Sequence, residues 1–161
     1  MDEHPMNLDP GSYPSDRERA VLAERWNAHP GMQHMGVRLD LSVPGEVCLE
    51  VDPILPFHRG GLGTDAVNGA IISGVFDLAT GLSGYLHALG RRVGVAQLNI
   101  QFLQPVNGDR FRVIGRPRRV GRSLIFTSAR LLDERDQVCA RCEGIVAVSG
   151  SAARMEDGMA L

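Results

Sequence analysis

The sequence predicts an α+β domain in which one antiparallel sheet of about six strands curls round a single long helix, with a shorter helix ahead of it. Two observations carry this. Thr64 to Gly90 (TDAVNGAIISGVFDLATGLSGYLHALG) reads as a long helix whose apolar residues occupy nearly every face, and a helix apolar all round is a buried one. The segments on either side alternate apolar and polar residues and are joined by short turns, which implies antiparallel neighbours. A sheet with one polar face buries such a helix by curling round it.

At 161 residues, 43% hydrophobic and with a net charge of −2, the chain has the size and composition of one globular domain with its own core. A slightly acidic chain without interleaved aromatics excludes nucleic acid as the expected partner. All 17 basic residues are Arg, so no single Arg gains meaning from not being Lys. Three cysteines, an odd number, argue for a reducing compartment. Cys139 and Cys142 match C-x-x-C but lie in a strand, where residues three apart point to opposite faces, so no metal is expected. The N-terminus is acidic and Pro-rich with no apolar run, unlike a signal peptide. The polar interruptions of the long helix exclude a membrane span. A cytoplasmic protein is expected.

In chain order, residues 1–15 read as a flexible arm, 16–149 as the domain and 150–161 as a flexible tail. Ser15 or Asp16 caps a helix over 16–28, which His29-Pro30-Gly31 stops. Val37, Leu39 and Leu41, then Val47, Leu49 and Val51, alternate with polar residues as a hairpin about Pro44-Gly45. A glycine-rich loop, 53–63, leads to the long helix, with Thr64 or Asp65 as its cap. Small residues recur there at Gly69, Ser73, Gly74, Gly81 and Gly84. Each Gly costs about 1 kcal/mol of helix propensity, which makes sense if strands or a ligand approach the backbone closely. Four strands follow at 93–103, 110–120, 123–132 and 137–149. In the first, Ala96, Leu98, Ile100 and Phe102 share one face, and Gln97, Asn99 and Gln101 the other.

One carboxylate, Asp77, interrupts the apolar helix. Read with Asn68-Gly69-Ala70, Gly94-Val95, Asn99 to Pro105 (NIQFLQP), Gly108-Asp109 and Gly121-Arg122-Ser123, it makes residues 35–149 resemble the hot-dog-fold acyl-CoA thioesterases, most nearly the phenylacetate-degradation (PaaI-like) branch. The resemblance implies a homodimer or dimer of dimers that hydrolyses acyl-CoA at a subunit interface, with no cofactor beyond the CoA of the substrate. It implies Asp77 as general base or nucleophile. The family opens this helix with His-Gly-Gly where this chain has Asn68, Gly69 and Ala70, and the hydroxyl some members place on the next strand is replaced by Val95.

Physical chemistry adds roles and alternatives. The N–H of Gly69 or Ala70, at the positive end of a helix, suits a developing oxyanion. Asn68 either positions the carbonyl or water, or only caps the helix. Asp77 either acts on water in an apolar setting that raises its pKa, or is solvated or bonded to Ser73 or Thr80. His58 and Gly61 either line the pocket, where His58 would also assist a proton transfer, or are loop residues in solvent. Arg116, Arg119 and Arg122 grip CoA phosphates or form a solvated strand face. The leading expectation is hydrolysis of a small or medium acyl-CoA, aromatic ones included; the alternative is a sensor or carrier that binds acyl-CoA without cleaving it.

Overall fold

The computed structural model describes residues 13–60 and 63–152. The expected arm, 1–15, and tail, 150–161, fall mostly outside these, but Tyr13 to Ser15 are held. The N–H of Gly45 donates to the Tyr13 hydroxyl at 2.6 Å.

The first helix, α1 (Asp16–Ala28), starts where Ser15 and Glu18 cap one another's backbone, leaving fewer unpaired amides at the helix start. Its inner side includes Arg19, buried, with Nε on the Leu41 carbonyl (2.9 Å) and Nη1 on that of Pro14 (3.0 Å). His29-Pro30-Gly31 does end this helix but also starts another, α2 (Pro30–Met35), which the sequence reading missed. His29 caps it through Nδ1 on the Gly31 N–H (3.1 Å), and Pro30 occupies the first turn, where its missing N–H costs nothing. Gly36, at φ 64°, closes it in the left-handed region.

Strands β1 (Arg38–Asp40) and β2 (Val47–Val51) form the expected hairpin. The long helix, α3 (Gly69–Tyr85), starts later than Thr64 because Val67 and Asn68 are pinned as extended chain. The Val67 N–H donates to Val106 (3.0 Å) and that of Asn68 to His58 (2.8 Å). Then follow β3 (Arg91–Phe102), β4 (Phe111–Val120), β5 (Leu124–Asp133) and β6 (Val138–Ala152). The six strands form one antiparallel sheet in the order β1-β2-β4-β5-β6-β3. Short turns therefore do not make all consecutive strands neighbours. The turn after β3 carries the chain to β4 across the width of β5 and β6, and β3 is left as an edge.

Helix α3 packs against β2 to β6 and is seated by glycines on both partners. A Cβ at Gly115 or Gly144 would lie 2.9 Å from Ser83 Oγ or 2.5 Å from a Thr80 methyl. A Cβ at Gly84 would lie 2.6–2.8 Å from the side chain of Val146. The small residues of the sequence are thus explained by backbone approach. One expectation fails: the helix is not buried on every side, since Gly69, Ala70 and Asp77 are exposed in the single chain.

Candidate active site

The exposed side of α3 lies between the edge strand β3 and the short helix α2. Register shifts within β3 between Val95 and Gln97 make Ala96 an extra residue. Val93 and Val95 thereby join Leu98, Ile100 and Phe102 on the helix-facing side, and the expected place of Ala96 there is corrected. Val95 Cγ2 sits 3.4 Å from where a Gly81 Cβ would be, one turn beyond Asp77.

Asp77 is exposed, but its flank is dry enough for burial to push its pKa above the usual 3.8. Nothing among the described residues pairs with it. Ser73 Oγ donates instead to the Gly69 carbonyl at 2.7 Å, and Thr80 Oγ1 is buried without a partner. The local hydrogen bonds that would make Asp77 merely structural are not formed. Two surface hollows, at Asp52, Asp109, Arg110, Glu134 and Arg135 and at Gly36 to Arg38 with Glu50 and Asp52, lie elsewhere. In a single chain Asp77 stands beside an open edge, not in an enclosed cavity.

At the helix start Asn68 is the cap, its Oδ1 accepting from the Ala70 N–H at 2.8 Å. That bond occupies the Ala70 amide, so of the two expected oxyanion donors only the Gly69 N–H is without an acceptor among the described residues. Phe102, 57% exposed, brings its ring within 3.6 Å of where a Gly69 Cβ would be. Gly69 and Asp77 are eight residues apart, about 12 Å along the axis. Helix-start amides also point out of the N-terminal end, away from Asp77. One chain cannot present both to the carbonyl carbon and oxygen of one thioester.

His58 is corrected outright. It is neither in solvent nor on a pocket wall but fully buried. Its Nδ1 accepts from the Leu55 N–H (2.9 Å) and its Nε2 is bonded to the Met35 carbonyl (2.8 Å), leaving neither ring nitrogen for a ligand. Gly61 lies outside the described residues. Arg116 and Arg119 are on the sheet face turned away from α3, opposite Ser128 and Phe126, and Arg122 is in the turn before β5. Arg116 is committed to Glu46 (Nε–Oε2 2.9 Å). The structure does not bring these arginines to Asp77 of the same chain. Cys139 and Cys142 are both buried free thiols, because a register shift opposite Cys139 breaks the strand alternation. Among the described residues no group of three or more His, Cys, Asp or Glu is placed to hold a metal.

Residues 65–140 match the family model of the thioesterase superfamily. The fold is the hot-dog fold. Structures similar to this hot-dog chain include a thioesterase family protein from Silicibacter pomeroyi (22% identity, TM-score 0.72, covering 81% of this chain and 97% of that one). Another is the E. coli PaaI protein from the phenylacetic acid degradation operon (14%, 0.73, 86% and 99%). A third is a Streptococcus mutans protein bound to acetyl CoA (19%, 0.63, 73% and 91%). No curated protein matches the chain in sequence. Among the described residues no helix is long and apolar enough to cross a membrane.

Sequence reading named Asp77, Asn68 and Gly69 as candidates, but did not single out Met35 and Phe102, which flank the exposed helix face. Met35 belongs to a helix too short for periodicity to reveal, and Phe102 looked like an ordinary inward strand residue.

Proposed function

We propose that the chain is an acyl-CoA thioesterase, acting on a small or medium acyl group as a homodimer or dimer of dimers. Each site combines Asp77 of one copy with the Gly69 N–H of another. The observation that carries this is Asp77 itself, an unpaired carboxylate with a raised pKa beside an open sheet edge. The acetyl CoA bound by the Streptococcus mutans protein of the same fold supports the choice of ligand.

In hydrolysis a water oxygen attacks the thioester carbon while Asp77 takes the water proton. The carbonyl oxygen gains charge against the Gly69 N–H and the positive helix end. The C–S bond then breaks and the proton passes to the departing thiolate. In the nucleophilic variant the Asp77 carboxylate attacks first and the C–S bond breaks to expel the CoA thiolate; water then cleaves the resulting anhydride, regenerating Asp77, and a water proton passes to the thiolate. Asn68 holds the helix start open by capping the neighbouring amide, and Val95 walls the site. Arg119 and Arg122, exposed and without ion pairs among the described residues, are the arginines free to meet CoA phosphates. The test is thiol release from an acyl-CoA panel, with turnover expected from the wild type and none from Asp77→Asn.

A second reading follows from Asn68. It stands where the family has His and its carbonyl is already committed to Ala70, so the site could bind acyl-CoA without cleaving it. Saturable binding by calorimetry with no thiol release would favour that reading.

A further inference from the structure

Two side chains press onto bare backbone of α3 on either side of Asp77. Met35 Cε lies 3.1 Å from where a Gly74 Cβ would be, and Val95 Cγ2 lies 3.4 Å from that of Gly81. Gly74 and Gly81 are three residues before and four after Asp77, so both share its side of the helix. They stand about 4.5 Å and 6 Å from it along the axis.

The two flanks differ in kind. Val95 is fixed in the strand ladder opposite Val146. Met35 is the last residue of a six-residue helix and reaches α3 with an unbranched side chain. On the turns of α3 either side of that contact, Ile71 and Leu78 are half-buried apolar residues, three before and four after Gly74, a surface suited to an alkyl or aryl group. What holds Met35 there is His58, fully buried, whose Nε2 bonds the Met35 carbonyl at 2.8 Å. Gly36 lets that ring approach, since a Cβ there would lie 3.1 Å from His58 Cε1.

We propose that Met35 sets the length of the acyl group accepted beside Asp77, its methyl forming the end wall of the acyl site and His58 the positioning residue behind it. This rests on the acyl-CoA reading above. The site favours an acyl group that reaches no further than about one helical turn from the thioester. Truncating Met35 opens the apolar surface beyond it.

The test measures kcat/KM for straight-chain acyl-CoAs from acetyl to dodecanoyl, and for phenylacetyl-CoA, in the wild type, Met35→Ala and Met35→Phe. Dissociation constants for the matching non-hydrolysable thioether analogues are measured in parallel. Met35→Ala is expected to move the optimum to longer chains, by about fourfold in kcat/KM for each methylene newly buried, and Met35→Phe to move it shorter. Met35→Leu, close in volume, is the control that keeps the wild-type profile, and Met35→Phe, read against it, decides the matter where the Ala variant fails to fold. Superimposable profiles overturn the proposal. If no acyl-CoA releases thiol, the hydrolytic reading fails, and the thioether affinities still decide whether Met35 sets chain length.

Discussion

Replacing Gly69 by proline isolates one atom of the proposed mechanism. Gly69 is the first residue of α3, where proline is favoured because its nitrogen needs no hydrogen bond. Asn68 before it is extended, at φ −64° and ψ 136°, the conformation proline demands of its predecessor. A Cβ there meets only the Phe102 ring at 3.6 Å, an ordinary contact. Gly69→Pro therefore deletes the N–H and little else. It lowers the entropy of the unfolded chain, a gain of about 0.4–1 kcal/mol, or roughly 1–4 °C in Tm for a chain of this size. Loss of an oxyanion donor lowers kcat by about 10²–10³-fold. Gly69→Ala, which keeps the N–H, is the control. Thermal melts and thiol-release kinetics on the three proteins check both outcomes. A proline variant that is folded and turns over within about threefold of wild type would refute the assignment of this amide.

Asp77→Asn is expected to stabilise the fold while removing activity. The folded-state pKa is raised above 3.8, so the folded chain binds the proton more tightly than the unfolded one. Stability from this group is present below the unfolded value and lost as pH rises through the folded value. The Asn variant should melt higher than wild type at neutral pH, with the difference vanishing below about pH 3.8. Gly84→Ala should lower Tm by a few degrees, because the added Cβ meets Val146 atoms at 2.6–2.8 Å. That overpacking, typically about 1–3 kcal/mol, outweighs the roughly 1 kcal/mol of helix propensity gained. Val146→Ala in the same chain should restore much of the loss, as a melt of the double variant would show.

The fold was legible because its signals are long. Strands of ten or more residues and a helix of seventeen carry many repeats of their periods. What the sequence hid was local or remote. The helix start is set by the Val106 and His58 carbonyls, the first of them far along the chain from the cap they displace. The bulge at Ala96 reverses the strand phase with no glycine or proline to mark it. Asp77 and Gly69 were readable as candidates, and the pairing of this carboxylate with this amide is the proposal made above. Their separation of about 12 Å, the reason the proposed site draws on a second copy, follows from helix geometry alone. His58 was misread because a loop histidine gives no sign of burial; its partners, Leu55 and Met35, are a turn carbonyl's neighbour and a helix end.

The shared site is tested most directly by mixing Gly69→Pro with Asp77→Asn. Under the account each is inactive alone. A two-fold dimer of one chain of each kind carries one doubly damaged site and one intact site. After subunit exchange, thiol release should return to roughly a quarter of the wild-type rate at equal total protein, the share of intact sites in a random mixture. A mixture as inactive as its components, with exchange verified by differently tagged chains, would contradict it.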